Sequence, residues 1–232
     1  DQAWIPTGAG TALYIRPILE GLGVTRSSSA KLVVMCCPVG KYLTSGALKL
    51  YANPAHSRVA PNGAGAFKMG CNYASTIAIN AEAAEHGCAQ SLWLWGEEQW
   101  ITEAGTSNVF FLWRDDNGDL ELVTPPTSGG LILPGVTRDS ILTLVKEWAE
   151  FEITQRFPTM KEVQEAAAEG RILEFFCSGT ASVVTPCDRI VYAEQPTNNV
   201  VIDIPEQLSF QPIYKRILET ITGIQYGRID RP

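Results

Sequence analysis

No stretch of the 232-residue sequence approaches the ~20 consecutive apolar residues that an α-helix needs to cross a bilayer. The opening residues, DQAWIPTGAG, carry neither the charged segment nor the apolar segment of a secretory leader. They also lack an initiating Met, so a processed chain, a trimmed chain or part of a longer protein is expected. Cysteine is sparse. Cys36, Cys37, Cys71, Cys88, Cys177 and Cys187 have neither the density nor the paired spacing of a disulfide scaffold or a zinc site, and they fit a reducing compartment. The adjacent pair in KLVVMCCPVG is expected as small buried thiols. Basic charge is in deficit, 18 Lys and Arg against 25 Asp and Glu. The resulting net charge of −7 argues against a nucleic-acid backbone or an anionic membrane surface and leaves a small molecule as the expected partner. Low-complexity tracts, blocks of like charge, internal repeats and a Pro/Gly/Ser-rich linker are all missing. What remains is a globular composition, 45% hydrophobic and 19% charged, at the length of one large domain.

Strand-like and helix-like segments follow one another with turn signals between them. KLVVMCC and ALKLYAN have the pattern of strands, as do SLWLW and TSNVFFLWR. NGDLELVT completes a hairpin through Asn117-Gly118. A helix is expected over residues 72–86, NYASTIAINAEAAEH, because it is alanine-rich, begins at a capping Asn and stops at Gly87. GVTRDSILTLVKEWAE opens a second helix after Pro134-Gly135, and FEITQRF reads as a strand. TMKEVQEAAAEG reads as a helix capped by Thr159 and ended by Gly170, and ILEFFCSGTASVVTP as a strand running into a turn. AEQPTNNVVIDIPEQ is expected as a long surface loop, and residues 210–223 as a closing helix.

A few residues stand out chemically. Lys68 sits in GAGAFKMGCNYAST, where glycines and apolar residues replace the polar neighbours of an ordinary solvated lysine. The turn LILPGVTRDS offers free N–H groups and the positive end of a helix dipole to an anion, with the Thr137 hydroxyl beside them. CSGTAS, residues 177–182, offers close backbone approach and the hydroxyls of Ser178 and Thr180. Either turn taken alone reads as a plain helix cap or a strand-ending turn. Arg58 taken alone reads as a surface residue, and Glu103, Thr106 and Tyr73 as ordinary turn or surface residues. Glu103 nevertheless lies between two apolar strand-like runs with no basic neighbour in sequence, and a buried carboxylate needs a partner.

In combination these stretches carry a resemblance. LYIRP, FKMGCNYAST, EAAEHGCAQSLWLWGEEQWITEAGTSNVFF, LVTPPTSGGLILPGVTRDSIL and FCSGTASVVTP keep the order and nearly the spacing of one family from about Leu13 to Tyr226, and the ending IQYG matches as well. The chain resembles the C-terminal, cofactor-binding portion of the branched-chain amino acid aminotransferases, pyridoxal phosphate enzymes of fold type IV. The resemblance implies an α+β (mixed α/β) fold, a pseudo-barrel of mixed strands with surrounding helices. Residues 1–12 would be the remnant of an interdomain linker and residues 13–232 the large cofactor domain, with the small N-terminal domain missing.

The resemblance also implies site residues. Lys68 would form the internal Schiff base with pyridoxal 5'-phosphate, as an amine held among apolar groups that disfavour its charge. Tyr73 would hydrogen-bond the cofactor's phenolic oxygen, and Glu103 would pair with its ring nitrogen. Val136, Thr137 and Thr180 match the phosphate site, Thr106 and Ala181 match positions near the substrate carboxylate, and Arg58 matches an arginine near the cofactor. No metal is implied. The implied reaction is a two-stage transamination in which a branched-chain amino acid gives up its amino group and 2-oxoglutarate receives it, in a homodimer of the cytoplasm or mitochondrion. Some eukaryotic members carry a redox Cys-x-x-Cys after the SGTA turn, and here Ser182 and Thr185 occupy those positions. Other fold type IV enzymes, namely D-amino acid aminotransferases, amine transaminases and aminodeoxychorismate lyases, would reuse Lys68 and Glu103. A catalytically incomplete chain that binds the cofactor, or a protein partner through an exposed apolar patch, is the remaining alternative.

Overall fold

A computed structural model describes residues 2–8, 10–21, 25–40, 46–195, 198–205 and 211–231. It separates into two compact units, Asp1–Ser45 and Gly46–Pro232. The first holds β1 (Ala12–Glu20) and β2 (Lys31–Val39), paired antiparallel from Ala12 opposite Val39 to Glu20 opposite Lys31. A two-stranded ribbon has no interior of its own. Cys36 and Cys37 therefore lie exposed on β2, which corrects the expectation of buried thiols.

Among the described residues the second unit has nine strands in one mixed sheet. In chain order they are β3 (Leu48–Ala52), β4 (Gln90–Trp95), β5 (Trp100–Ala104), β6 (Asn108–Arg114), β7 (Leu120–Thr124), β8 (Glu152–Gln155), β9 (Ile172–Gly179), β10 (Val183–Gln195) and β11 (Asn198–Asp203). Among the described residues five α-helices accompany them: α1 (Cys71–Ala74), α2 (Ile77–Glu85), α3 (Val136–Trp148), α4 (Met160–Ala168) and α5 (Ile213–Gln225). The spatial order is β5-β4-β3-β10-β9-β6-β7-β8, with β11 on β10. β3 pairs parallel with β4 and β10, β7 pairs parallel with β8, and the other ladders are antiparallel. The two ends of this path approach each other. Ile101 of β5 donates to the Pro158 carbonyl at 2.8 Å, and Met160 donates to the Gln99 carbonyl at 3.2 Å. The sheet thus curls on itself, giving the expected pseudo-barrel of mixed strands.

Alternation along the central strands explains the packing, since successive side chains face opposite sides of a sheet. Phe111, Phe175, Val109, Ile101, Leu50 and Leu92 fill one apolar core, together with Met160, Val163 and Ala166 of α4. Phe110, Phe176 and Leu112 face the other way, against Ile141, Leu144 and Val145 of α3 and Ile213, Ile217 and Ile221 of α5. β6 is buried on both faces, as its unbroken VFFLW run requires.

Three expectations change here. Residues 72–86 form two helices rather than one, because Ser75 and Thr76 interrupt the run with hydroxyls that donate to the carbonyls of Cys71 and Tyr73. Asn72 is not a cap. It is buried, and its amide donates to the carbonyls of Ala64 (2.7 Å) and Phe67 (2.9 Å), folding the preceding loop back onto α1. The stretch expected as a long surface loop contains β11, which extends β10 from Ile190 opposite Ile202 to Tyr192 opposite Val200. The closing helix begins at Ile213, and residue 210 lies outside the described residues.

Candidate active site

One end of the curled sheet gathers most of the chemically distinctive residues. The β5–β6 connection is tight, with Ala104 and Ser107 exchanging backbone hydrogen bonds of 3.0 and 2.9 Å, and it presents Thr106. Beside it runs the β9–β10 connection, because Asn108 is paired with Ser178. That second turn presents Thr180 and Ala181. It ends in Val183 at φ 59, a left-handed conformation that strains a β-branched residue. The third wall is the loop leading into α3. Gly135, Val136 and Thr137 form its N-terminus, with no side-chain cap on the first N–H groups.

Arg138, in the first turn of α3, is buried and donates to the Pro125 carbonyl (2.7 Å) and to Gln155 Oε1 (2.8 Å). These bonds fix α3 against the ends of β7 and β8. Burial lowers the guanidinium pKa, a shift that Asp139 opposes.

Glu103 is the electrostatic centre. It stands on β5, 3% exposed, not in an exposed turn. Its Oε2 lies 2.6 Å from Arg58 Nη2, and Arg58 is buried as well, contrary to its reading as a surface residue. The same guanidinium nitrogen donates to the Leu131 carbonyl at 3.2 Å. Glu103 Oε1 accepts from Leu133 N (2.9 Å) and from Asn108 Nδ2 (3.1 Å). Two effects oppose each other at this carboxyl. Burial disfavours the ionised form, while Arg58, the Leu133 N–H and Lys68 favour it; burial is the larger, and the pKa is pushed up to about 7. Arg58 Nε and Ser178 Oγ are buried without a partner among the described residues.

Lys68 lies on the loop before α1, close enough to Glu103 for its charge to act on that carboxyl. Its Nζ is 3.3 Å from Tyr73 Oη and 5.4 Å from the centre of the Tyr73 ring. The loop is seated by close backbone approach. A Cβ on Gly65 would come within 2.3 Å of the Gly130 carbonyl oxygen and 2.8 Å of Val59 Cγ2, so only glycine fits. Lys68 itself is exposed, as are Phe67 and Met69 beside it, so the expected enclosure of the amine by apolar groups is not present. The reason is local: among the described residues, none lays an apolar layer over the glycine-rich turn and the four-residue α1.

All nine expected residues thus lie in one unit. Arg58 and Glu103 meet directly, as do Lys68 and Tyr73, while Thr106, Thr180 and Ala181 stand on adjoining turns and Val136 and Thr137 open α3. Asn108 was not among the sequence candidates. A polar residue heading an apolar strand is common, so its sequence position carried no distinguishing signal.

Residues 12–190 match the amino-transferase class IV family. The chain is 46% identical, over 99% of its length, to the cytosolic branched-chain-amino-acid aminotransferase of Caenorhabditis elegans, covering 57% of that protein. It spans under two thirds of the length of the curated relatives it matches. Among solved structures, the branched-chain amino acid aminotransferase of Escherichia coli superposes with a TM-score of 0.68 at 26% identity, over 94% of this chain and 66% of that one. The branched-chain amino acid aminotransferase of Thermobaculum terrenum in its PLP-form superposes at 0.67 over 94% of this chain and 65% of that one, and at 21% identity it shows the shared fold. A family match across most of the chain, on a curled mixed sheet shared with these enzymes, carries the assignment: the chain belongs to the class IV aminotransferases.

Proposed function

We propose that the chain is the cofactor-holding part of a branched-chain amino acid transaminase. It would move the amino group of leucine, isoleucine or valine to 2-oxoglutarate by way of pyridoxal 5'-phosphate and yield glutamate. The observation that carries this reading is Glu103, a carboxylate buried beside Arg58 and held by Asn108 and Leu133 within reach of the Lys68 charge. The residues suit the cofactor. A ring-nitrogen cation would be matched by Glu103, whose carboxylate burial alone disfavours. A phosphate would be matched by the uncapped N–H groups of α3 at Val136 and Thr137, together with the Thr180 hydroxyl. Buried Arg58 has in Nε a donor without a partner among the described residues.

Bound there, the cofactor supplies the electron sink that loss of the substrate's α-proton requires. The protein's part is orientation and proton handling. Lys68 would hold the cofactor through its Nζ, and that amine, when free, would take and return the substrate's α-proton. Tyr73 Oη, 3.3 Å from that amine, would hold its position and would donate to the cofactor's phenolic oxygen. Glu103 would pair with the ring nitrogen and hold it in its protonated form. Thr106 and Ala181, on the adjoining turns that the Asn108–Ser178 pairing brings together, would receive the substrate carboxylate.

The full-length protein would act as a homodimer in the cytoplasm or the mitochondrion. Its relative from C. elegans is named cytosolic. The test is an absorbance spectrum of the chain with added pyridoxal phosphate, followed by borohydride reduction, mass mapping and an assay of leucine-dependent glutamate formation. Reduction confined to Lys68 together with glutamate formation supports the proposal. Labelling scattered over surface lysines overturns the cofactor assignment. Labelling of Lys68 without turnover favours the second reading, a cofactor-binding module without transaminase activity.

A further inference from the structure

Asn108 begins β6, 5% exposed, and its register opposite Ser178 leaves its side chain little freedom. The amide donates twice, to Glu103 Oε1 at 3.1 Å and to the Leu133 carbonyl at 2.9 Å. Leu133 returns the contact, its own N–H reaching the same Glu103 oxygen at 2.9 Å. The other end of the amide faces Gly135, where a Cβ would lie only 2.2 Å from Asn108 Oδ1. A single side chain therefore ties the buried carboxylate to the loop and first residues of α3.

We propose that Asn108 is the positioning residue that fixes the Glu103 carboxylate relative to the N-terminus of α3, so that the two ends of one rigid, anionic heteroaromatic ligand are gripped together. This rests on the assignment of pyridoxal phosphate to the site. Asn108 does not touch the ligand; it acts through Glu103 and Leu133. The chemistry favours an amide here. Aspartate would offer no donor and would set a second acid beside Glu103, while leucine would leave Leu133 O and Glu103 Oε1 one donor short. Gly135 is glycine because the amide oxygen fills the space a methyl group would need. The strap should matter for a ligand that spans both ends and hardly at all for one that occupies a single end.

The test is a binding cycle on the full chain. Pyridoxal phosphate affinity is measured for the wild type, Asn108→Ser, Glu103→Gln and the double variant, and inorganic phosphate affinity by competition. Asn108→Ser is expected to weaken pyridoxal phosphate about tenfold and phosphate less than about twofold. In the Glu103→Gln background the same change should cost less than about threefold, because the partner it acts through has been altered. Asn108→Asp, which keeps the shape, should reproduce the loss if the serine variant folds poorly. Equal losses for both ligands, or a full tenfold loss in the Glu103→Gln background, would reduce Asn108 to a structural residue and overturn the proposal. Wild-type chain that binds pyridoxal phosphate with both Asn108 variants unaffected overturns the strap alone. Wild-type chain that does not bind it overturns the cofactor assignment and the strap together.

Discussion

Arg58 Nη2 stands 2.6 Å from Glu103 Oε2, and both side chains are almost fully withdrawn from solvent. Forty-five positions separate them in the chain. A pair this deep is seldom a net source of stability, because desolvating two charges costs about as much as their attraction returns. The carboxylate is kept dry and is oriented by Leu133 and Asn108, which is what the proposed pairing with a second cation would require. Burial outweighs Arg58 and holds the Glu103 pKa up at about 7, above the ordinary carboxylate range.

That pKa makes a prediction for the unloaded chain. The value in the fold, about 7, lies above the ordinary 4.5, so between these limits the folded state holds more protons than the unfolded one. Stability from this group is therefore complete below about pH 4.5, falls as pH rises towards 7 and levels off above it, with a span on the order of 3 kcal/mol. Urea midpoints measured at intervals from pH 5 to 8 would show it. Glu174 shifts in the same direction through burial, so the decisive quantity is the difference between wild type and Glu103→Gln. The two curves should converge at the alkaline end and separate at the acid end once scaled at pH 8; parallel curves would mean that Glu103 titrates normally.

Lys68→Ala should remove the borohydride-trapped cofactor and all transamination while changing stability by no more than about 0.5 kcal/mol, since the side chain is exposed. Thermal unfolding and mass mapping decide the two halves of the statement separately. A variant that still forms glutamate from leucine would remove Lys68 from the mechanism.

Much of this was legible in the sequence where the signals are local. Thr159 and Glu162 form a full capping box, Glu162 N donating to Thr159 Oγ1 at 3.1 Å and Thr159 N to Glu162 Oε2 at 2.7 Å, so α4 began and ended as its residues indicated. The Asn117-Gly118 hairpin also formed, with Gly118 at φ 89. Pairing across long separations left no such trace. β11 hides in a stretch opened by Pro and Asn and becomes a strand only because β10 supplies its ladder. The resemblance matches Arg58 to an arginine that other family members keep near the cofactor, yet nothing in HSRVAPNG announced burial against an acid on a strand. Cys36 and Cys37 sit in a run apolar enough for a core, on a ribbon that has none.

Glu103→Gln should still bind pyridoxal phosphate but turn over at least tenfold more slowly, because an amide cannot keep the ring nitrogen protonated. Single-turnover rates with leucine, read from the cofactor's absorbance, separate this from a binding defect. An unchanged rate would place the ring-nitrogen partner elsewhere.

Two glycines in the Lys68 loop give opposite expectations from the same substitution. At Gly65 an added methyl group meets the Gly130 carbonyl oxygen at 2.3 Å and Val59 Cγ2 at 2.8 Å. Neither is the free end of a flexible side chain, so the loop must lift from the residues that precede α3. Gly65→Ala should cost about 1 to 3 kcal/mol and loosen cofactor binding with it. Gly70 has nothing within 4 Å of the same methyl group and already holds helical angles, φ −57 and ψ −32. Gly70→Ala should therefore be neutral or stabilising by up to about 1 kcal/mol, chiefly by restricting the unfolded chain. Denaturant midpoints of the two variants, measured beside the fraction of chain that can be reduced onto Lys68, test whether seating of this loop and not glycine content sets the lysine's position. Equal losses at both glycines would show that the Gly65 contact has no special part in it.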